Sequence, residues 1–412
     1  MRPAFPRRPT PPDPGADPLP PHPQSMPAST TQADPAARRP VRVCLVAPST
    51  DILGGQAVQA ARLLANLRQA PGVEVDFVPV NPRLRGVPGR LQRVKYARTL
   101  VTQPAYLASL AARLGRCDVV HAFSASYLSF VLAPTPALLL GRLFGKKTIV
   151  NYRSGEADDH LRRWRTAAPT LRLADAVVVP SRYLVEVFAR HGIRAHAIAN
   201  VVEAGGAPPR RRASLRPVFL ANRNLEPMYN VACVLRAFAL VQARHPQARL
   251  TVAGDGSQRT GLESLAATLG LRGVRFAGRV DPAGMHALYD EADVYLNASD
   301  VDNAPASLLE AFARGLPVVT TDAGGIPYLV EHGQTGMMVA RGDHAGLADA
   351  ALRLLAEPEL AAALIGRAQR ECRARYHWDA VRDQWLALYR SLAGDPAHAG
   401  AAGGRAWAGS AA

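Results

Sequence analysis

The sequence predicts an α/β protein built from two tandem, doubly wound Rossmann-like domains with a deep cleft between them. At 412 residues the chain exceeds the usual size of a single hydrophobic core. Short β-branched runs alternate with longer helical patterns, which is typical of parallel sheets joined by crossover helices. The alternation stops once, in a polar and basic segment at 205–216, and then restarts. Two such domains direct the carboxyl-end loops of both sheets into the cleft, where we expect a ligand that contacts both.

Residues 41–204 are predicted to form the first domain. Its strands are expected at 42–47, 73–79, 119–122, 148–152, 176–180 and 195–199. Its helices are expected near 56–69, 91–114, 125–143 and 181–191. Glycine and proline pairs and the run Arg210-Arg211-Arg212 make 205–216 the best candidate for a linker between domains.

Residues 217–377 are predicted to form the second domain, in which the same pattern returns. Its strands are expected at 218–221, 249–253, 274–277, 294–296, 317–320 and 337–339. Its helices are expected near 230–244, 258–269, 283–291, 305–314, 344–356 and 359–374. A final helix near 378–391, within the segment 378–393, is expected to pack back toward the first domain.

Both ends of the chain are predicted to be disordered. Residues 1–40 contain 13 prolines and almost no large apolar side chains, so they have no core to join. Residues 394–412 are rich in alanine and glycine. Met26 is an alternative to Met1 as the start of translation.

The composition excludes several classes of protein. The net charge of +16 suggests a polyanionic partner, but no zinc-finger, RRM or KH pattern accompanies it, so we expect no nucleic acid. The four cysteines are far apart and form no CxxC pair, which indicates a reducing compartment and no structural zinc. No apolar run is long enough to cross a bilayer, and the amino terminus lacks the apolar region of a signal peptide.

The protein is therefore predicted to be cytoplasmic, with peripheral contact on the inner face of the membrane as an open alternative. A basic cluster without any acidic residue could meet anionic lipid or a phosphorylated acceptor. Its members are Arg83, Arg85, Arg90, Arg93, Lys95 and Arg98. A solvated helix explains the same cluster, because the basic and apolar positions overlap on a helical wheel.

The strongest signal for a ligand site is the segment 299–328. Asp302 and Asn303 fall in the loop between a predicted strand and a predicted helix, and Pro305 suits the first helical position. The backbone amides expected to leave that helix end unpaired are those of Ala306, Ser307 and Leu308. Unpaired amides and the positive end of the helix dipole form an anion site, most naturally for phosphate.

Glu310 lies one turn further along the same helix. Two carboxylates, Asp302 and Glu310, beside a phosphate site suggest a ligand that carries both phosphates and hydroxyls. An ordinary strand–helix–strand unit with polar loops is the alternative interpretation.

Two further positions suggest contacts with phosphate. Gly54-Gly55-Gln56 follows the first strand and opens the first helix, where glycine permits either close approach of a phosphate or a tight turn. No full G-x-G-x-x-G is present, which disfavours a dinucleotide oxidoreductase. Arg223 follows the first strand of the second domain, and a fixed guanidinium there can hold a diphosphate with two parallel bonds.

Polar residues at strand ends of the first domain are candidates for the acceptor side. His121 is a candidate catalytic group, although a lone histidine is more often structural. Arg153, Ser154 and Glu156 follow the fourth strand and are expected opposite Glu310.

Together these residues resemble the retaining, GT-B fold glycosyltransferases of family 4, over roughly residues 41–392. The family's hallmark is Glu-x7-Glu before a Gly-x-Pro-Val strand, and this chain has Asp302-x7-Glu310 followed by Gly-Leu-Pro-Val-Val. Further matches follow in the family's order. They are the first-strand glycine pair, Pro180-Ser181-Arg182-Tyr183-Leu184, Asn200-Val201-Val202, Gly254-Asp255-Gly256, Phe276-x-Gly278-x-Val280 and Trp378-Asp379.

The resemblance implies a nucleotide-diphosphate sugar, UDP- or GDP-linked, as donor and a hydroxyl group as acceptor. Glu310 would bind the ribose, while Asp302, with the amides near Ala306 and Ser307, would lie beside the sugar and phosphate. Arg223 would neutralise the leaving diphosphate, and Gly55 would contact it from the first domain. The sugar would be transferred with retained configuration, and the leaving phosphate would help to take the acceptor's proton. No metal or other cofactor is expected.

The chain departs from the family pattern in three places. The first motif carboxylate is Asp302 instead of glutamate. The lysine expected about five residues after Arg223 is absent from 225–230, and 151–155 lacks a histidine often found near the acceptor, with Arg153 close to its place. A non-catalytic nucleotide-sugar binder and an epimerase of the same fold remain alternatives. A phosphorylase is disfavoured because the only lysines lie in the first domain.

Overall fold

The computed structural model describes residues 39–50, 55–84, 97–203, 210, 212 and 214–394. Residues 1–38 and 395–412, which are most of the extensions predicted at 1–40 and 394–412, lie outside the described residues, as do most of the linker and Arg85, Arg90, Arg93 and Lys95 of the basic cluster. No helix in the described ranges is long and apolar enough to span a membrane.

The first domain is organised around a parallel sheet in the order β2-β1-β3-β4-β5-β6. Its strands are β1 (Val41–Ala47), β2 (Val73–Pro79), β3 (Val119–Ser124), β4 (Lys147–Tyr152), β5 (Ala176–Val179) and β6 (His196–Ala197). Its described helices are α1 (Gly55–Gln69), α2 (Ala97–Leu114), α3 (Leu128–Leu132), α4 (Pro134–Leu143), α5 (Ala157–Arg163), α6 (Ala167–Arg172) and α7 (Arg182–Arg190).

The second domain is organised around a parallel sheet in the order β12-β11-β10-β7-β8-β9. Its strands are β7 (Val218–Ala221), β8 (Arg249–Ala253), β9 (Val274–Gly278), β10 (Val294–Leu296), β11 (Val318–Thr321) and β12 (Met337–Val339). The helices from this point on are α8 (Val231–Arg244), α9 (Arg259–Thr268), α10 (Pro282–Glu291), α11 (Ala306–Ala313), α12 (His344–Ala356), α13 (Pro358–Tyr376) and α14 (Trp378–Leu392).

Both faces of the first sheet are covered, which explains why its strands are continuous apolar runs. Successive strand residues point to opposite faces. Val43 and Leu45 of β1 pack in the core that contains α1 and α14, whereas Cys44 and Val46 pack in the core that contains α2 and α4. The two-domain α/β class is confirmed, and the strand bounds differ from the predicted ones by at most two residues.

The prediction for 125–143 was wrong in detail, because this segment is two helices instead of one. Pro134 begins the second of them, and proline has no N–H to continue a preceding helix. Helices α5 and α6 were not predicted. Each has fewer than two turns, and both are stabilised by tertiary packing, because Leu161 and Leu171 are buried in the core cluster that also contains Phe188.

The final helix, α14, joins the two halves of the chain. It follows α13 of the second domain, yet Val381, Trp385 and Tyr389 lie in the core of the first domain together with Leu45. Trp385 is 1% exposed. Because the helix ends in the core of the other domain, the cleft walls are connected by packed side chains as well as by the linker.

The described arginines of the linker are anchored on the second domain. Arg210 and Arg216 form ion pairs with the fully buried Asp293, at 2.8 and 2.6 Å. Arg212 is itself buried and donates to the backbone carbonyls of Tyr289 and Ala292, each at 2.8 Å. Arg210, Arg212 and Arg216 therefore attach to the second domain through Asp293 and backbone carbonyls.

Candidate active site

A cavity of about 720 Å³ lies between the two domains at the carboxyl ends of both sheets. This volume is typical of a cleft that holds a nucleotide-sized ligand. Predicted site residues that line it from the first domain are Gly55, Arg153, Ser154 and Glu156. Those that line it from the second domain are Arg223, Asp302, Asn303, Ala306, Ser307 and Glu310.

Helix α11 begins at the cleft. Of the three backbone amides that were predicted to be unpaired at its start, one already donates a hydrogen bond within the protein. Pro305 is the extended residue before the helix instead of its first residue, and its carbonyl accepts a bond from the Leu308 N–H at 3.2 Å. Leu308 is buried, so its assignment as a donor-binding residue is corrected to a structural one. No described residue accepts from the N–H groups of Ala306 and Ser307. These two amides are therefore available to an acceptor at the helix start, as the sequence predicts for an anion site.

The Asp302 carboxylate is held by three hydrogen bonds. Its Oδ2 accepts from Arg223 Nη2 at 2.7 Å and from Ser299 Oγ at 3.1 Å, and its Oδ1 accepts from the Asn303 N–H at 3.0 Å. The residue is 8% exposed. An ionised carboxylate has about four acceptor sites, so capacity for about one substrate hydroxyl remains.

Arg223 is fixed beside the start of α11. In addition to Asp302, it donates from Nη1 to Ser307 Oγ at 3.3 Å, and its guanidinium carbon lies 4.1 Å from the centre of the Tyr229 ring. Burial acts to lower the pKa of Arg223, but the Asp302 carboxylate, together with neighbouring tyrosine hydroxyls, outweighs it and leaves the pKa raised. Arg223 is therefore a permanent cation at the site predicted for the diphosphate.

Tyr229 occupies the stretch in which the resemblance leads one to expect a lysine. It contributes an aromatic face under Arg223 instead of a second positive charge. Tyr229 was not identified from the sequence, because the resemblance leads one to expect a cation in this stretch. Tyr229 ends a short helical turn, Pro227–Tyr229, that begins with a proline. This turn positions the Tyr229 ring against Arg223.

Two glycines allow neighbouring loops to support the backbone of the site. A Cβ on Gly254, whose φ is +137°, would lie 2.2 Å from the carbonyl oxygen of Arg223. A Cβ on Gly324, whose φ is +51°, would lie 2.1 Å from the carbonyl oxygen of Asp302. Only glycine permits these contacts, which hold Arg223 and Asp302 against the loops after β8 and β11.

Glu310 connects the two walls of the cleft. Its Oε2 accepts from the Tyr289 hydroxyl at 2.8 Å, and its Oε1 forms an ion pair with Nη2 of Arg62, on α1 of the first domain, at 2.8 Å. Burial and the charge of Glu310 raise the pKa of Tyr289 well above its usual value, so the phenol remains a donor.

Arg62 and Tyr289 were not identified from the sequence. A signal for the first was present, since Gln56, Gln59 and Arg62 recur at the spacing of one helical face after the glycine pair. Gln56 and Gln59 line the cleft.

His121 does not reach the cleft, and its assignment as a catalytic residue is corrected. The side chain is fully buried, and its ring stacks on Trp385 with the centroids 4.7 Å apart. Nε2 lies 2.9 Å from the Asn151 amide nitrogen and Nδ1 lies 2.7 Å from the Tyr389 hydroxyl. Both ring nitrogens are thus used within the protein, and burial lowers the pKa of His121 to about 3.

The acceptor-side candidates lie at the carboxyl end of β4. Ser154 Oγ accepts from the Glu156 N–H at 3.3 Å, and the Glu156 side chain is exposed at the cleft. Arg153 extends along the wall toward Asn200, which the sequence analysis did not single out as a site residue. The Asn200 amide nitrogen donates to the Ala304 carbonyl at 2.8 Å, across the domain boundary.

Asn303 is also tied to the first domain, because Ser181 Oγ donates to its side-chain oxygen. Within the described ranges, no group of three or more His, Cys, Asp or Glu side chains could hold a metal ion.

Two family models match the chain. One, described as "Glycosyl transferases group 1", matches residues 209–371, and the other, described as "Glycosyl transferase 4-like domain", matches residues 54–201. The phosphatidyl-myo-inositol mannosyltransferase of Mycobacterium leprae is 30% identical over 57% of this chain and 58% of its own length. The chain thus spans less than two thirds of that relative.

Solved structures share the fold. Sucrose-phosphate synthase of Thermosynechococcus elongatus superposes with a TM-score of 0.65 and 21% identity over 86% of this chain and 99% of its own. The Anabaena protein HepE, crystallised with UDP and glucose, superposes with a TM-score of 0.64 and 18% identity over 85% of this chain and 100% of its own.

Two parallel six-stranded sheets that face one cleft define the GT-B class of glycosyltransferase fold. The matches to both halves show that the chain belongs to the group 1 glycosyl transferases, and the family 4 assignment is consistent with them.

Proposed function

We propose that the protein transfers a sugar from a nucleotide-diphosphate sugar, UDP- or GDP-linked, to a hydroxyl acceptor, with retention of configuration and without a metal. The observation that carries the proposal is the position of Arg223. Its guanidinium donates to the Asp302 carboxylate and to the side chain of Ser307. Ser307 is in the first turn of α11 and lines the cleft. A cation and a helix start together match a leaving diphosphate.

The nucleoside half of the donor is assigned to Glu310. A carboxylate held by the Tyr289 hydroxyl retains lone pairs that accept from the two ribose hydroxyls. The ion pair with Arg62 places the first domain against the same carboxylate. A donor bound there would contact both walls of the cleft, with Gly55 lining the wall of the first domain.

The sugar is assigned to the space beside Asp302. This carboxylate is oriented by Arg223 and Ser299, and its remaining acceptor capacity suits one sugar hydroxyl. Aspartate is one methylene shorter than the glutamate usual at this position. A sugar that contacts it must therefore lie closer to the loop at 302–303, which affects which donor sugar is preferred.

The transfer step is proposed to proceed by attack of the acceptor hydroxyl on the same face as the leaving diphosphate. The bond from the anomeric carbon to the phosphate oxygen breaks, a bond to the acceptor oxygen forms, and a phosphate oxygen takes the hydroxyl proton. Arg223 and the amides of Ala306 and Ser307 stabilise the charge that develops on the diphosphate. The burial of His121 supports a mechanism in which the leaving group acts as the base.

The known relatives support this direction. HepE binds UDP and glucose, and the mycobacterial relative is named as a mannosyltransferase. We place the reaction in the synthesis of cell-envelope, polysaccharide or glycoconjugate material, with a sugar, a lipid-linked glycan or a small molecule as acceptor. A lipid-linked acceptor would require the enzyme to work at the inner face of the membrane.

The test is a donor panel with the purified protein. Thermal stabilisation by UDP and GDP and release of free sugar from UDP- and GDP-sugars are measured for the wild type and Glu310→Ala. We expect one nucleotide to stabilise the protein, one of its sugars to be hydrolysed, and Glu310→Ala to abolish the stabilisation.

Glu357→Ala is a suitable control, because the Glu357 carboxylate is exposed, pairs with Arg353 on α12 and does not line the cleft. An unchanged nucleotide response in Glu310→Ala would refute the assigned site. Stabilisation without turnover of any donor would favour the non-catalytic binder.

A further inference from the structure

Arg153 stands in the wall of the cleft without an acidic partner among the described residues. Its Nε donates to Asn151 Oδ1 at 3.1 Å, its Nη1 donates to Asn200 Oδ1, and its guanidinium carbon lies 4.8 Å from the centre of the Phe123 ring. All three neighbours are uncharged. No carboxylate in the described ranges forms an ion pair with it, although Glu156 lines the same cleft.

Arg153 differs from Arg223, which lines the same cleft, in having no carboxylate as a counter-charge among the described residues. Arg223 pairs with Asp302 at 2.7 Å, and its pKa is raised. Burial lowers the pKa of Arg153 to about 9, and no nearby acid opposes the effect. Withdrawing a cation from water without a counter-charge is costly, and the cost is offset when an anion binds.

The surrounding side chains hold Arg153 in one orientation. The Asn151 amide nitrogen contacts His121 Nε2 at 2.9 Å, which turns the Asn151 oxygen toward Arg153. Two of the five guanidinium N–H donors are used by Asn151 and Asn200, so three remain for another acceptor. His121 thus acts as a positioning residue for the arginine.

The position of Arg153 relates it to the proposed phosphate site. Asn200, which accepts from Arg153, donates in turn to the carbonyl of Ala304, two residues before α11. One asparagine side chain therefore separates the guanidinium from the loop that leads into the start of that helix. Both Arg153 and Arg223 line the same cavity, from opposite domains.

We propose that Arg153, in addition to Arg223, is a cation of the active site and binds an oxyanion of a substrate, a phosphate or a carboxylate group, with its planar guanidinium. The inference rests on the proposed function for the source of that oxyanion. One source is the diphosphate of the donor, for which Arg153 would supply the charge that Tyr229 does not. The other is an acid group on the acceptor, which would make the acceptor an anionic hydroxy compound.

The experiment measures anion binding by thermal stabilisation in a buffer of low ionic strength, with inorganic pyrophosphate, inorganic phosphate and malonate as probes. Arg153→Gln removes the charge with little change in polarity, and Arg153→Lys keeps the charge but loses the planar fork. Lys147→Gln is the matched control, because it removes one positive charge from the opposite end of the same strand, where Lys147 is exposed and paired with Asp175.

We expect Arg153→Gln to weaken the apparent affinity for at least one probe on the order of tenfold, the effect of one charged hydrogen-bonding partner. Arg153→Lys should give a smaller loss, and Lys147→Gln should match the wild type. A purely structural role would lower the melting temperature of Arg153→Gln equally with and without anions. Equal apparent affinities of wild type and Arg153→Gln for all three probes would overturn the proposal.

The source of the oxyanion is identified by repeating the phosphate and malonate titrations with saturating UDP or GDP. If the nucleotide abolishes the response that depends on Arg153, the donor diphosphate is the natural occupant. If the response persists, the oxyanion belongs to the acceptor. Failure of UDP and GDP to bind would contradict the proposed function but not this inference, since the response to free anions is measured without nucleotide.

Discussion

Replacing Asp302 with asparagine separates two roles that the structure gives to this carboxylate. The substitution keeps the size and shape of the side chain but removes the negative charge that lies 2.7 Å from Arg223 Nη2. The two side chains are 8% and 14% exposed, so little water is available to replace the lost charge. Removing one partner of such a buried pair costs about 3 kcal/mol, because the remaining charge stays buried.

The same change has the opposite effect on nucleotide binding. In Asp302→Asn the guanidinium of Arg223 has lost its internal counter-ion, so a diphosphate becomes its best partner. We expect the free variant to unfold at lower urea concentration, and UDP or GDP to recover part of the lost stability. Affinity for the nucleotide should therefore equal or exceed that of the wild type. Sugar turnover should fall by about a hundredfold or more, because Asp302 also orients Arg223 and the sugar.

The assay combines urea unfolding, with and without nucleotide, and hydrolysis of the donor identified by the panel. Ser299→Ala is a useful control, since it removes one neutral hydrogen bond to the Asp302 carboxylate and leaves its charge in place. Weaker nucleotide binding in Asp302→Asn, together with unchanged stability, would refute this account of the ion pair.

Three further substitutions and conditions test other parts of the site. Tyr229→Leu removes the aromatic face that contacts Arg223 and should weaken diphosphate binding by about 1 kcal/mol, measured by calorimetry. His121 has a pKa lowered to about 3 by burial, so the unfolded chain alone takes up its proton below pH 6.5. Its contribution to the unfolding free energy should fall by about 2 kcal/mol from pH 7.5 to 5, a dependence that His121→Gln should lack in urea unfolding. Gly324→Ala places a Cβ 2.1 Å from the carbonyl oxygen of Asp302 and should lower the melting temperature and the activity, whereas Gly261→Ala, with open space around it, should do neither.

The fold and the main site residues could be predicted because parallel sheets impose a simple order on the chain. Their buried strands are apolar runs, and the loops that bind ligands follow the strands directly. Asp302 and Arg223 each follow such a strand, and both line the cleft. Glu310 lies one turn into the helix after Asp302, and the same reasoning located it.

His121 and Leu308 show where this reasoning fails. All six residues of β3 are buried, so a strand-end position did not bring His121 to solvent, and the ring packs on a helix more than 250 residues later in the chain. The amide of Leu308 is used because Pro305 precedes the helix and its carbonyl accepts the first bond. Contacts between distant segments and the position of the first helical residue are not encoded in a local pattern.

Arg62 and Tyr229 were missed for a different reason. Arg62 reaches Glu310 from the opposite domain, which requires the arrangement of both domains to be known. Tyr229 contacts Arg223 through its ring, whereas the resemblance leads one to expect a lysine in the same stretch.

The most direct test of the central claim is the rate of donor-sugar release by the wild type and by Arg223→Gln, with the nucleotide product quantified. We expect the wild type to release UDP or GDP from one donor and Arg223→Gln to reduce the rate by a factor of about a hundred or more. We expect the variant to lose stability as Asp302→Asn does but to remain folded, because Asp302 keeps its bonds to Ser299 and to the Asn303 amide. An unchanged rate in a folded Arg223→Gln would contradict the assignment of the diphosphate to this end of the cleft.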